Sequence, residues 1–284
     1  FATMENEFDY SRTSKSLIKH IIDIISKDYL PVSLDEIMSS MHNQKQPRFA
    51  VTIDDGYASI SNIIDIFKEK SIVPTVFVCP SLIEMNTIPF PEVIKVAILM
   101  SKVNYFDDPW SSKQFKIHNL RSKIKIINYL QDFLINQKID LITNLMQVLL
   151  DILEVTEETI KESIYYDKLL NWSDLKTLIP KIQIGSHTCH HYNIGNLEKS
   201  FIKSEIFDSK KLIENNLDIP CKYFAYPFGS NGSHTSESDS YVKAAGYTGS
   251  YTLDNNFLTL DESAFNLPRI NAGNGLSNLI QLYQ

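Results

Sequence analysis

Two groups of side chains in this sequence are of types that can do chemistry together. One is the adjacent pair Asp54 and Asp55. The other is the stretch His187-Thr188-Cys189-His190-His191, which holds three of the chain's seven histidines. Consecutive residues at a strand end point in different directions, so one carboxylate can bind a cation while the other handles a proton. Asp54-Asp55-Gly56 also has the composition of an ordinary polar turn. Histidines spaced i, i+4 share a face if the segment turns helically, which suits two ligands on one ion; His190 competes with His191 for that role, and spacing does not choose between them. One Asp and two His make a three-ligand set with positions left open for water. A divalent ion in such a set lowers the pKa of bound water to about 7, and a free carboxylate beside it can take the proton. Attack on an amide or ester carbonyl then produces an oxyanion. The Pro227-Phe228-Gly229 turn offers the backbone N–H of Phe228 to it, and losing one such donor costs roughly 3–4 kcal/mol in hydrolases.

These residues need elements that bring them to one place. Arg48 to Ile53 is a short apolar run of strand type that leads directly into Asp54. Pro74 to Val78 reads as the next strand, with a helical stripe (Ile60, Ile63, Ile64, Phe67) between them. Lys181 to Ile184 forms a strand that ends at Gly185-Ser186-His187, and Tyr223 to Ala225 one that ends at Tyr226-Pro227-Phe228-Gly229. Tyr247 to Tyr251 and Phe265 to Ile270 read as the last strands. Helices are expected at Ser14 to Tyr29, after the Ser33/Glu36 capping box, after Ser173, at Glu198 to Asn215, and at Ser238 to Ala245 with Gly246 as the stop. This is the rhythm of a parallel α/β sheet or barrel, and all three chemical features fall at C-terminal strand ends, where barrel enzymes place catalysis. Residues from about 89 to 170 read instead as helical, with amphipathic segments at Ile124 to Leu134 and Leu141 to Leu153, no Gly and no convincing strand. They are expected to be a helical insertion within a single domain spanning 1–284.

At 284 residues with 43% hydrophobic and 21% charged content, the chain can build a packed core. A formal net charge of −7 argues against a nucleic-acid partner, which needs clustered Lys and Arg. The four arginines are Arg12, Arg48, Arg121 and Arg269. Three cysteines without a Cys-x-x-Cys pair suggest neither a disulfide framework nor a thiolate zinc site. No apolar run reaches the roughly 18–20 residues of a transmembrane segment. No signal peptide is visible, and the localisation stays open because the sequence starts at Phe1 rather than Met.

The motifs together resemble those of the polysaccharide deacetylases, the NodB-homology group of carbohydrate esterase family 4. Thr52-Ile53-Asp54-Asp55-Gly56 is similar to the family's T-F-D-D-G motif. Ser186-His187-Thr188-Cys189-His190-His191 is similar to its S-H-[ST]-x-x-H motif, and Phe224-Ala225-Tyr226-Pro227-Phe228-Gly229 to its third. Trp172-Ser173-Asp174-Leu175, Ala245-Gly246-Tyr247 and Leu267-Pro268-Arg269-Ile270 also fit, so the resemblance spans about 45–80 and 170–271. It implies a distorted (β/α)7 barrel that removes N-acetyl groups from aminosugar units of a glycan. Asp54 would be the base, Asp55, His187 and His191 the ligands of a divalent ion, with zinc expected, and Phe228 N–H the oxyanion donor. The resemblance selects His191 over His190.

The sequence departs from the family in three places. Ala225 stands where many members carry an Arg that orients the catalytic Asp; Arg269, at the end of a predicted strand, is either its replacement or a structural Arg. No late Leu-x-His is present, and His234 sits in a Ser/Gly-rich loop where solvent exposure is expected. The family's late Trp-containing motif is missing, since the tryptophans are Trp110 and Trp172. An O-acetyl esterase on the same scaffold and a catalytically weak carbohydrate-binding relative are the alternatives. An acetylated carbohydrate is the expected partner in each case, and the oligomeric state is not specified.

Overall fold

The computed structural model describes residues 14–39, 46–111, 113–230, 232–258 and 263–272; Arg12 lies outside them. The chain forms two compact units. One is Thr87–Lys168, and the other is built from the described residues before and after it.

In chain order the first part holds α1 (Lys15–Ile25), β1 (Leu30–Pro31), α2 (Leu34–Ser39), β2 (Arg48–Phe49), β3 (Thr52–Ile53), α3 (Ile64–Glu69), β4 (Thr75–Val78) and α4 (Pro80–Glu84). Thr87–Lys168 contributes α5 (Phe90–Met100), β5 (Tyr105–Asp107), β6 (Gln114–Lys116), α6 (Leu120–Ile135), α7 (Ile139–Ile152) and α8 (Glu157–Lys161). Then follow α9 (Trp172–Leu178), β7 (Gln183–Ser186), α10 (Lys199–Leu217), β8 (Tyr223–Ala225), α11 (Ser236–Ala244) and β9 (Gly249–Tyr251).

A five-stranded parallel sheet in the order β3-β4-β7-β8-β9 organises the unit built from the residues before and after Thr87–Lys168. β4 is buried at every position because helices cover both faces of such a sheet, which is why its sequence is a continuous apolar run. The register sets Val78 level with Ser186, Ser186 with Phe224, and Ala225 with Tyr251, so the strands finish together. Gly185 makes this approach possible: a Cβ there would lie 2.5 Å from the Phe77 ring and 3.0 Å from the Tyr223 carbonyl. The fold is thus α/β with a parallel sheet of the barrel type that the motifs implied. The helices begin as their caps dictate. Ser14 accepts from Leu17 N–H, and Ser33 and Glu36 close their capping box in both directions.

Several elements differ from expectation for identifiable reasons. The run from Arg48 to Ile53 is two strands, because β2 pairs with β1 while β3 pairs with β4. The segment after Ile60 starts as a 3-10 turn at Ala58–Asn62 before α3 forms. Asn171, not Ser173, caps α9, in a capping box with Asp174. Phe265 to Ile270 makes only a parallel bridge, Leu267 to Tyr251, since Pro268 has no N–H to extend a ladder.

Thr87–Lys168 is mainly helical around fully buried Ile94, Ile98, Ile126, Ile127, Leu130, Leu134 and Leu149. It also contains an antiparallel pair, β5 with β6, where no strand was expected. Phe106 and Phe115 stack across this pair, a cross-strand aromatic contact that compensates for its short length. No described helix is long and apolar enough to cross a membrane.

Candidate active site

Asp54 and Asp55 follow directly on β3, and the backbone turns sharply there: Asp55 has φ 70° and Gly56 φ 74°. A side chain at Gly56 would meet Val78 at 2.8 Å, so glycine is required by both space and conformation. The turn sends the two carboxylates to different partners. Arg269 donates to Asp54 in a bidentate pair, Nη1 to Oδ1 at 2.7 Å and Nη2 to Oδ2 at 2.9 Å. Its own position is fixed by Nε–H to the Thr252 carbonyl at 2.9 Å, Nη1 to Thr52 Oγ1 at 3.1 Å, and the Phe77 ring 5.4 Å beneath. Arg269 is buried, with 9% exposure, so this is a desolvated pair rather than a surface ion pair. Burial pushes the Asp54 carboxyl up, but Arg269 and then His187 more than offset it and hold it at about 2.

His187 follows β7. Its Nδ1 lies 2.7 Å from the Ala225 carbonyl, which can only accept, so Nδ1 carries the proton and Nε2 keeps its lone pair. Ala225 therefore contributes through its backbone. His187 Nε2 lies 3.6 Å from Asp55 Oδ1 and 3.9 Å from Asp54 Oδ2. His191 Nε2 lies 3.1 Å from the same Asp55 Oδ1. Burial pulls His187 below the ordinary imidazole range; for His191, burial acts the same way, but Asp55 outweighs it and raises the group.

The fit to a cation can be judged from these atoms. Asp55 Oδ1 is buried without a hydrogen-bond partner, although two imidazole nitrogens surround it. Asp55, His187 and His191 offer ligand atoms that all lie within 4.8 Å of one another. Ligands about 2.0–2.1 Å from a tetrahedral ion are roughly 3.3 Å apart, and the observed separations from Asp55 bracket that figure. The donor set fits a divalent ion.

His190 turns away from this group. Its Nδ1 is 2.5 Å from Glu205 Oε1, and Glu205 Oε2 accepts the N–H groups of Cys189 and His190, each at 2.9 Å. Cys189, His190 and Glu205 form a second close group of possible ligands, but Glu205 already joins two of them. Sequence reading missed Glu205. The available signal was a carboxylate within the buried stripe of α10, Ile202-Glu205-Ile206-Ser209-Ile213.

Phe228 lies in the turn after β8 with φ 65°, and its ring meets His191 edge-on with centroids 4.9 Å apart. Asp55, Thr188, His191 and Phe228 are all non-glycine residues in the left-handed region, a concentration of backbone strain of about 1–3 kcal/mol each that occurs typically at functional sites. His234 is not the exposed loop residue that was expected. It is half-buried, with Nδ1 3.2 Å from Asp239 Oδ1 and its ring stacked on Tyr226 at 4.8 Å. Tyr226 O–H donates to the same Asp239 oxygen, and Asn266 to the other.

The fold and the site together define a parallel α/β protein with an Asp-His-His group that could hold a cation, beside an arginine-held carboxylate. A family model described as polysaccharide deacetylase matches residues 150–250, which include the histidine and Pro227-Phe228-Gly229 motifs. Solved structures of similar fold include the Streptococcus pyogenes deacetylase PplD in complex with acetate, with TM-score 0.62, 14% identity, and coverage of 100% of this chain and 94% of that one. IcaB from Ammonifex degensii gives TM-score 0.58 at 12% identity, covering 99% and 91%, and the BpsB deacetylase domain from Bordetella bronchiseptica 0.56 at 13%, covering 95% and 88%. No curated protein matches in sequence. Residues 150–250 thus match the family that the motifs resemble, and the fold is similar to that of these structures.

Proposed function

We propose that this protein is a metal-dependent hydrolase that removes N-acetyl groups from aminosugar units of a glycan. The observation that carries the reading is the division of labour between adjacent carboxylates. Asp55 faces His187 and His191 with an unsatisfied oxygen, whereas Asp54 is held in a bidentate grip by Arg269. Asp55, His187 and His191 would hold the ion, with zinc expected from the donor set. A divalent ion there would supply Lewis acidity and a water that ionises near neutral pH. Asp54, ionised throughout the working pH range, accepts the proton of the attacking water. Arg269 fixes the orientation of that carboxylate at the cost of some basicity, since its charge lowers the pKa. The Phe228 N–H donates to the oxyanion that develops on the acetyl carbonyl.

The test is acetate release by protein loaded with zinc or cobalt, on an N-acetylated aminosugar oligomer and on an O-acetylated xylan. Release from the N-acetyl substrate is expected. Release confined to the xylan would reassign the protein as an O-acetyl esterase, and none from any acetylated sugar would favour a carbohydrate-binding role.

A further inference from the structure

We propose that Glu205 is a positioning residue for the cation site: it sets the path of the His187–His191 loop and so determines which histidine faces Asp55. This rests on the reading of Asp55, His187 and His191 as ligands. The loop turns through two left-handed, non-glycine residues, Thr188 with φ 66° and His191 with φ 60°. Such a path holds only if its surroundings over-determine it. One restraint is internal, His191 N–H to Thr188 Oγ1 at 3.0 Å. His187 itself is held by Val78, Cys79 and Ala225. The restraints on the Cys189 and His190 N–H groups and on the His190 ring converge on Glu205, a carboxylate with 3% exposure on α10.

Glu205 Oε2 accepts two successive N–H groups, of Cys189 and His190, which fixes the orientation of both peptide planes. Glu205 Oε1 engages the His190 ring. With His190 tied to the helix, the chain brings His191 back to Asp55. Three donors on one group call for a carboxylate. A glutamine has one acceptor oxygen for the two N–H groups, and its NH2 can meet the ring only if His190 gives up its Nδ1 proton, so the charge-assisted bond to the ring is lost. Outer-shell partners of this kind change metal affinity by about 10–100-fold when removed.

The test uses metal-stripped wild type, Glu205→Ala and Glu205→Gln. Co(II) titration followed by its visible absorption gives affinity, stoichiometry and ligand geometry, and thermal unfolding of the metal-free proteins gives stability. The expected result is one Co(II) per wild-type chain. Both variants should bind about 10–100-fold more weakly with an altered absorption band. If Glu205→Ala does not fold without metal, the near-isosteric Glu205→Gln carries the same test. Folded variants with wild-type affinity and band overturn the proposal even if metal-free stability drops, because that is the mark of a purely structural residue. Two Co(II) per wild-type chain, with one lost on substitution, also overturn it, because Glu205 would then be a ligand. A wild type that takes up no Co(II) overturns it as well. A wild type that binds one Co(II) but releases no acetate would instead sink the deacetylase reading and leave the Glu205 result standing.

Discussion

Both compact units bury polar groups, but they finish them differently. In the helical unit Asp108 accepts from Trp110 N–H at 3.0 Å, from Ser111 Oγ at 2.5 Å and from Tyr129 O–H at 2.6 Å. Lys123 likewise donates to the Leu99 and Ser101 carbonyls that end α5. Each of these groups closes a local account of backbone and side-chain bonds. Its described left-handed residue outside glycine is Glu154, just past the cap of α7, an ordinary helix stop. In the sheet unit Asp55, Thr188, His191 and Phe228 are left-handed at the site, besides others such as Ser71 and Asp218 away from it, and Asp55 Oδ1 and His191 Nδ1 remain unsatisfied. Burial of charge therefore does not by itself mark a site. Unused bonding capacity held in a strained backbone does.

The comparison can be broken or sharpened by substitution. The largest effect is expected from Asp55→Ala or His187→Ala, which should remove bound metal and lower activity by more than about 1000-fold; metal content measured on purified protein decides it, and unchanged content in both would end the ligand assignment. Asp54→Asn should retain the metal and lose activity by about 100–10,000-fold, the usual worth of a general base, so a wild-type rate would remove Asp54 from that role. Arg269→Ala should slow turnover by about 10–100-fold with metal content unchanged. It should also alter acid stability. Asp54 is depressed from 3.8 to about 2, so its contribution is full above about pH 4 and is lost as pH falls through 2. In Arg269→Ala that contribution should shrink, since only His187 and His191 would still hold the carboxyl down, and acid unfolding of the metal-free proteins would reveal it. The smallest effect on the site belongs to the helical unit. Asp108→Asn should cost about 1–3 kcal/mol in thermal unfolding and leave metal affinity alone; a loss of metal would erase the distinction between the two units.

Much of this was legible in the sequence because strand ends in a parallel sheet are marked locally, by an apolar run that stops at polar residues. That signal located Asp54, His187 and Phe228 on one face. What was not legible depended on partners far away in the chain. His190 and His191 are indistinguishable by spacing, and the difference lies in Glu205 on the following helix. Asp239 draws His234 out of solvent, although the Ser/Gly-rich loop gave no hint of it. Ser173 looked like a cap because it precedes Asp174, yet Asn171 lies at the position whose side chain reaches the Asp174 N–H. The β5–β6 pair was hidden because its short strands lack a long alternation and rest on aromatic stacking.

Arg269 and Asp54 are 215 residues apart in the chain. The order of synthesis gives that distance a meaning. Asp55, His187 and His191 all leave the ribosome before Arg269 does. At about 5–20 residues per second, the interval from His191 to Arg269 is roughly 4–16 s. During that time a nascent chain has the three side chains proposed to hold an ion but lacks the counter-charge that orients Asp54. Under the proposed roles, the ligand side chains are thus complete before the group that orients the base. A chain ended by premature termination or proteolysis between Ala225 and Arg269 would keep the three proposed ligands, Glu205 and the carbonyl that orients His187, but would leave Asp54 without its counter-charge.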